Sequence, residues 1–164
     1  MINPKQFYDN VVVPSFEDMY LFHPILDSDT ARKLVFATFL HESKGGTYIK
    51  QVHGPALGVY QIEPATFDFV WKSAAKMLIP NWPGPIARDV LLRKLVTDLD
   101  FQTKICRLRY FHAPMALPAN ASLEFLANYW GKYYQTDSQD MNALNEKEKA
   151  FIHDAKSSMP GFFD

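Results

Sequence analysis

Two carboxylates, Glu42 and Glu63, bracket a glycine-rich stretch, HESKGGTYIKQVHGPALGVYQIEPATF, at residues 41–67. A carboxyl group that donates a proton near neutral pH must be held protonated, and burial against apolar groups does this by penalising the charged form. The negative end of a helix dipole acts in the same direction. Glu42 meets both conditions. The pattern DSDTARKLVFATFLHES predicts a helix from about Ser28 to Ser43, and Glu42 falls in its last turn on one stripe with Val35, Thr38 and Phe39. The same pattern is compatible with a partly exposed glutamate at a helix end. Glu63 also has two readings, a second carboxylate for the chemistry or an acidic cap for a helix beginning at Pro64. Gln61 can offer its amide to hydroxyl or acetamido groups, and Tyr60 can pack beneath a sugar ring. Gly54 and Gly58 either let the backbone approach a ligand closely or serve turn geometry alone.

Other chemistries fit the residues poorly. The pair His41-Glu42 invites comparison with the zinc-protease helix, but the position four residues after His41 is Gly45. His23, His53, His112 and His153 show no ligand spacing, so neither metal nor another cofactor is expected. No phosphate-cradling glycine motif opens a helix, no GxSxG is present, and Cys106 lies inside a helical pattern with nothing to activate it. The net charge of −1 and the scattered Lys and Arg give no footprint for nucleic acid.

Several elements must position Glu42 and Glu63. The 164 residues suit a single domain, 1–164, and the 48% hydrophobic content supports a packed core. The aromatic share of 15% fits a core of large side chains, with some rings free to line a groove. Residues 1–26, with Pro4, Pro14 and Pro24, read as a short helix followed by irregular segments. Residues 47–52 and 57–62 read as two strands of a β-hairpin turning at HGPA. A helix follows from Pro64 with Phe67, Val70, Trp71, Ala74 and Leu78 on one face, ended by PNWPGP at 80–85. Residues 86–112 are helical, divisible at Thr97-Asp98, with Ile86, Val90, Leu95, Leu99, Ile105 and Leu108 as core candidates. Further helices run from about Ser122 to Tyr134 and from Asn145, where Glu148 suggests a capping box. The expected class is α+β, mainly helical, with one small hairpin. No stretch reaches the roughly 20 apolar residues of a membrane span, and the N-terminus lacks the pattern of a secretory signal. A single cysteine forms no internal disulfide and suits a reducing compartment.

Glu42-Ser43, a variable stretch, and then GPALGVYQIEPATF resemble the signature of the lysozyme-like lytic transglycosylases. Gly58, Gln61, Ile62, Pro64 and Thr66 match that signature in order. DLDFQTKICRLRYF (98–111) is similar to the family's next helix, and FLANYWGKYYQT (125–136) to its closing tyrosine-bearing helix. The likeness spans about residues 28–136 and is nearest to small phage-encoded members. It implies a lysozyme-like fold and cleavage of the β-1,4 bond between N-acetylmuramic acid and N-acetylglucosamine. Glu42 would then be the general acid and base, supported by Ser43. Gln61, with Gly58 and Tyr60, would meet substrate, and Tyr129 would hydrogen-bond near the carboxylate. The sequence departs from the pattern at Glu63, usually hydrophobic, and at Trp130, where asparagine is usual. The resemblance further implies peptidoglycan strands as the partner, a monomer, and synthesis in a host cytoplasm with no stable membrane insertion. Action would be at the cell wall or periplasm, reached with a holin-type partner or as part of a virion. The reading from a different class is a non-catalytic wall-binding or virion structural module, and a metal-dependent peptidase is the remaining alternative.

Overall fold

The computed structural model describes residues 1–78, 86–135 and 140–164, and the side chains of these except 74–78. The PNWPGP break and the apolar side chains of Ala74 and Leu78 lie outside the described residues. The chain is mainly helical, with almost no strand. Its helices are α1 (Pro4–Phe7), α2 (Val13–Phe22), α3 (Asp29–Glu42), α4 (Pro64–Leu78), α5 (Arg88–Thr97), α6 (Leu99–Phe111), α7 (Leu123–Tyr133) and α8 (Met141–Ser158).

α3 is the axis. The Ser28 hydroxyl accepts from the Ala31 N–H and caps its start. Every side chain from Leu34 to Leu40 is essentially inaccessible. A helix buried all round needs partners on all sides, and α6, α7 and α8 supply them. Phe7 stacks on Phe39 with centroids 3.7 Å apart, and Phe36 meets Phe162 and Phe163 of the C-terminal segment at 5.3 and 6.0 Å. Each such ring contributes about 1.5–3 kcal/mol by leaving water. The large-residue core expected from the composition is therefore concentrated around the helix that carries Glu42.

The boundary signals vary in how well they survive. Asp98 does divide the long helical stretch, its carboxylate accepting from the Phe101 N–H at 3.0 Å. On α5, however, Leu91 faces the core and Val90 is exposed, a shift of one residue in the helical face. The last helix starts at Met141 rather than Asn145, because Asp140 accepts from the Asn142 N–H and caps it earlier. The N-terminal region is more regular than the prolines suggest: α1 and α2 join through a wide π-type turn, Tyr8–Val12. That turn ends just before Pro14, whose ring and missing N–H disfavour an ordinary helical bond to the carbonyl four residues back.

The expected hairpin is present only in reduced form. Lys50 bridges Leu57, with Gln51 N–H to Ala56 carbonyl and Gly58 N–H to Ile49 carbonyl, both at 2.9 Å. Residues 57–62 are not a strand. Leu57 and Ile62 pair with each other through two 2.9 Å bonds, enclosing a four-residue turn. Consecutive side chains of a strand would face opposite ways, whereas Val59 and Tyr60 are both fully buried.

Candidate active site

Glu42 is the last residue of α3, and the turn behind it is tightly specified. Lys44, Gly45 and Gly46 all take positive φ, of 51°, 62° and 76°. That conformation stops the helix and turns the chain away, at lowest cost where glycine stands. Ser43 is fully buried beneath this turn; its hydroxyl donates to the Phe39 carbonyl at 3.0 Å and accepts from the Gly46 N–H at 2.9 Å. Ser43 therefore holds the helix end that presents Glu42.

The Glu42 residue keeps an edge on a cleft of about 290 Å³, while its carboxyl is closely surrounded. Burial raises its pKa from the ordinary 4.5 to about 7, against the opposing pull of the Trp130 hydrogen bond and the charges of Arg109, Lys44 and Lys147. The Trp130 indole Nε1 donates to Glu42 Oε1 at 2.8 Å. Trp130 is itself immobilised, with Phe151 of α8 stacked at 5.0 Å and the His41 ring edge-on at 4.8 Å. Asp154 of α8 completes the frame by bonding both His41 Nδ1 and Lys44 Nζ at 2.6 Å. Burial lowers the His41 pKa despite the Asp154 bond.

The opposite wall comes from the tight turn and the start of α4. Gln61, Glu63 and Thr66 line the cleft with Gln51, Arg109 and Tyr134. Gln61 has φ 49°, and its amide Nε2 donates to the Gly58 carbonyl at 2.8 Å, leaving its oxygen and a second N–H for a ligand. The exposed Glu63 carboxylate makes no hydrogen bond among the described residues, although its backbone carbonyl receives the Phe67 N–H at 2.9 Å. Glu63 thus occupies the capping position of α4 through its backbone while its side chain faces the cleft. The Arg109 guanidinium lies 3.7 Å from the Tyr134 ring centroid and bonds the Tyr134 carbonyl. The Tyr134 hydroxyl in turn donates to the Tyr60 carbonyl at 2.6 Å, tying the tight turn to the end of α7.

Glu42, Gln61 and Glu63 share one cleft.

No protein-family model matches this chain, and neither a curated protein nor a solved structure does. Three residues expected at the site have other work. Tyr60 is fully inaccessible and its hydroxyl pairs with Thr103 Oγ1 at 3.0 Å, so its ring is core and cannot underlie a sugar. Gly58 does serve a close approach, but to the protein itself: a Cβ there would sit 2.0 Å from the Leu95 carbonyl oxygen. Tyr129 points away from Glu42 and donates to the Met115 carbonyl at 2.5 Å. The neighbouring Trp130 takes the place expected of Tyr129, because one residue along α7 turns the side chain by about 100°. Arg109, Tyr134, Thr66 and Gln51 were not legible as site residues. Arg109, Thr66 and Tyr134 lie in segments that match the signature, and that match is the signal the sequence carries for them. Among the described residues no cluster of His, Cys, Asp and Glu is placed to hold a metal ion.

Proposed function

We propose that this protein is a glycosidase of lysozyme-like fold that cleaves peptidoglycan strands, with Glu42 as general acid and base. One observation carries the reading: a carboxyl group with a pKa of about 7 at the edge of a polar cleft, facing an amide and a second carboxylate. Near neutral pH such a group is present in both forms, as acid catalysis followed by base catalysis requires. The Trp130 N–H fixes one carboxyl oxygen of this cleft-lining residue. A lining of Gln51, Gln61, Glu63 and Thr66 offers donors and acceptors for the hydroxyl and acetamido groups of an amino sugar. The order of Glu42, Ser43, Gly58, Gln61, Pro64 and Thr66 supports the lytic transglycosylase resemblance. No helix among the described residues is long and apolar enough to cross a membrane, which accords with an enzyme delivered to the wall during phage lysis or carried on a virion.

Glu42→Gln keeps the shape and an acceptor for Trp130 but removes the transferable proton. It should abolish the clearing of cell-wall suspensions while leaving the far-ultraviolet circular dichroism unchanged; undiminished clearing refutes the assignment. Mass spectrometry of the digested glycan then separates the two outcomes. Anhydro-muramyl ends mark Glu42 acting alone as acid and base, whereas reducing ends mark attack by water, for which Glu63 is the available second carboxylate.

A further inference from the structure

α6 carries two arginines with different surroundings. Arg109 reaches the Glu42 cleft, and Arg107, two residues earlier, projects about 200° away around the helix. Arg107 is 6% exposed. Its Nε donates to the Leu26 carbonyl at 2.7 Å, and its guanidinium carbon lies 5.5 Å from the Phe111 ring centroid. No carboxylate among the described residues pairs with it. Asp27, the one carboxylate whose charge bears on it, is held in two bonds by Arg32 at 2.7 and 2.6 Å. The Tyr129 hydroxyl is committed to the Met115 carbonyl. The two Nη nitrogens therefore make no hydrogen bond to the described residues.

These nitrogens are not sealed in. Among the described residues, the one fully buried side-chain polar atom without a partner is Nε2 of Gln102. The Nη nitrogens thus reach the surface of the cavity that Arg107 lines, a space of about 260 Å³ walled by Ile25, Phe111, Met115 and Leu117. Ser28, the N-cap of the 14-residue helix α3, stands on the same wall, so the positive end of that helix reinforces the field. A guanidinium placed this deep without a counter-charge is costly, and burial pushes the Arg107 pKa down to about 10 while leaving it charged at neutral pH.

We propose that this cavity binds a small monocarboxylate with an aliphatic body, the carboxylate accepting from the Arg107 Nη groups and the body lying against Ile25, Met115 and Leu117. Among the described residues Arg107 is the sole cationic side chain on the cavity wall, which matches one negative charge and leaves a phosphate dianion undercompensated. The apolar walls select the aliphatic part. The site lies on the far face of α6 from Glu42, so it holds whether or not the glycosidase reading does.

Thermal unfolding of the full chain tests it, in sodium butyrate, N-acetylalanine or sodium phosphate at ionic strength matched with sodium chloride. At about 100 times Kd a carboxylate should raise Tm by about 5–10 °C, the shift growing with the logarithm of its concentration. Which carboxylate gives the larger shift at equal concentration distinguishes a free short-chain acid from a peptide C-terminus. Arg107→Gln should remove the response. Ile25→Glu gives an arm that spares the core, since Ile25 is 71% exposed and a glutamate there supplies an internal counter-ion at the cavity mouth. It should raise the apparent Kd for added carboxylate at least tenfold. Superimposed curves for all three salts and chloride overturn the proposal, as does phosphate binding more tightly than both carboxylates, or a response in Ile25→Glu equal to the unmodified chain's.

Discussion

Replacing Glu42 by glutamine should make the protein more stable above about pH 4.5, with the full gain reached above pH 7. In the folded chain the carboxyl binds its proton up to about pH 7, whereas in the unfolded chain it releases it near 4.5. Between these values the folded state holds one proton more than the unfolded state, so its stability falls as pH rises. The contribution is fully present below pH 4.5 and lost by the time pH has passed through 7. At 1.36 kcal/mol per pH unit the loss amounts to about 3 kcal/mol. Glu42→Gln has no proton to lose and its carbonyl still accepts from Trp130 Nε1. The difference in unfolding free energy between variant and original chain should therefore be small and flat below pH 4.5. It should grow between pH 4.5 and 7 and level off near 3 kcal/mol in favour of glutamine. Urea denaturation of both chains from pH 4 to 9, followed by far-ultraviolet circular dichroism, measures it. For a chain of this size that plateau corresponds to about 6–12 °C in Tm. A difference that stays constant with pH would refute the buried, proton-holding environment argued for Glu42, and with it the physical basis for general acid chemistry.

Other substitutions probe the frame around Glu42. Trp130→Phe removes the donor that holds the Glu42 pKa down, so the alkaline limb of glycan cleavage should move to higher pH, at a stability cost of about 1–3 kcal/mol read from denaturation curves. Gly58→Ala places a methyl against the Leu95 carbonyl and forces alanine to φ 73°; it should cost more than about 3 kcal/mol or prevent folding, as expression and urea melts would reveal. Tyr60→Phe should cost about 1 kcal/mol through the lost Thr103 bond and leave cleavage rates unchanged, since the ring does not reach the cleft. A large fall in kcat for that variant, with stability intact, would return Tyr60 to the site.

The parts of the structure legible in the sequence are those governed by neighbours within about four residues. Ser28 caps α3, the residues after Ser43 stop it, and the stripe of Val35, Thr38 and Phe39 identifies the face on which Glu42 leaves the helix. Asp98 splits α5 from α6 for the same local reason. Alternation failed at residues 57–62 because a run of apolar residues carries no period that separates a strand from a buried tight turn. Leu57 and Ile62 close that turn on each other, and the choice is stabilised from outside it, by Gln102 accepting from the Val59 N–H at 2.7 Å.

The division is sharpest at Glu42. Residue type and helical phase alone were enough to mark it as the carboxylate worth testing, since the end of a helix and an apolar face are both encoded locally. Its electrostatic state was decided by groups distant in the chain. Trp130 lies 88 residues away and donates to the carboxyl, Arg109 arrives from α6, and Phe151 and Asp154 of α8 fix Trp130, His41 and Lys44. A pKa depends on the solvent and charge within a few ångströms, and only the packing of α3 against α6, α7 and α8 determines what those are.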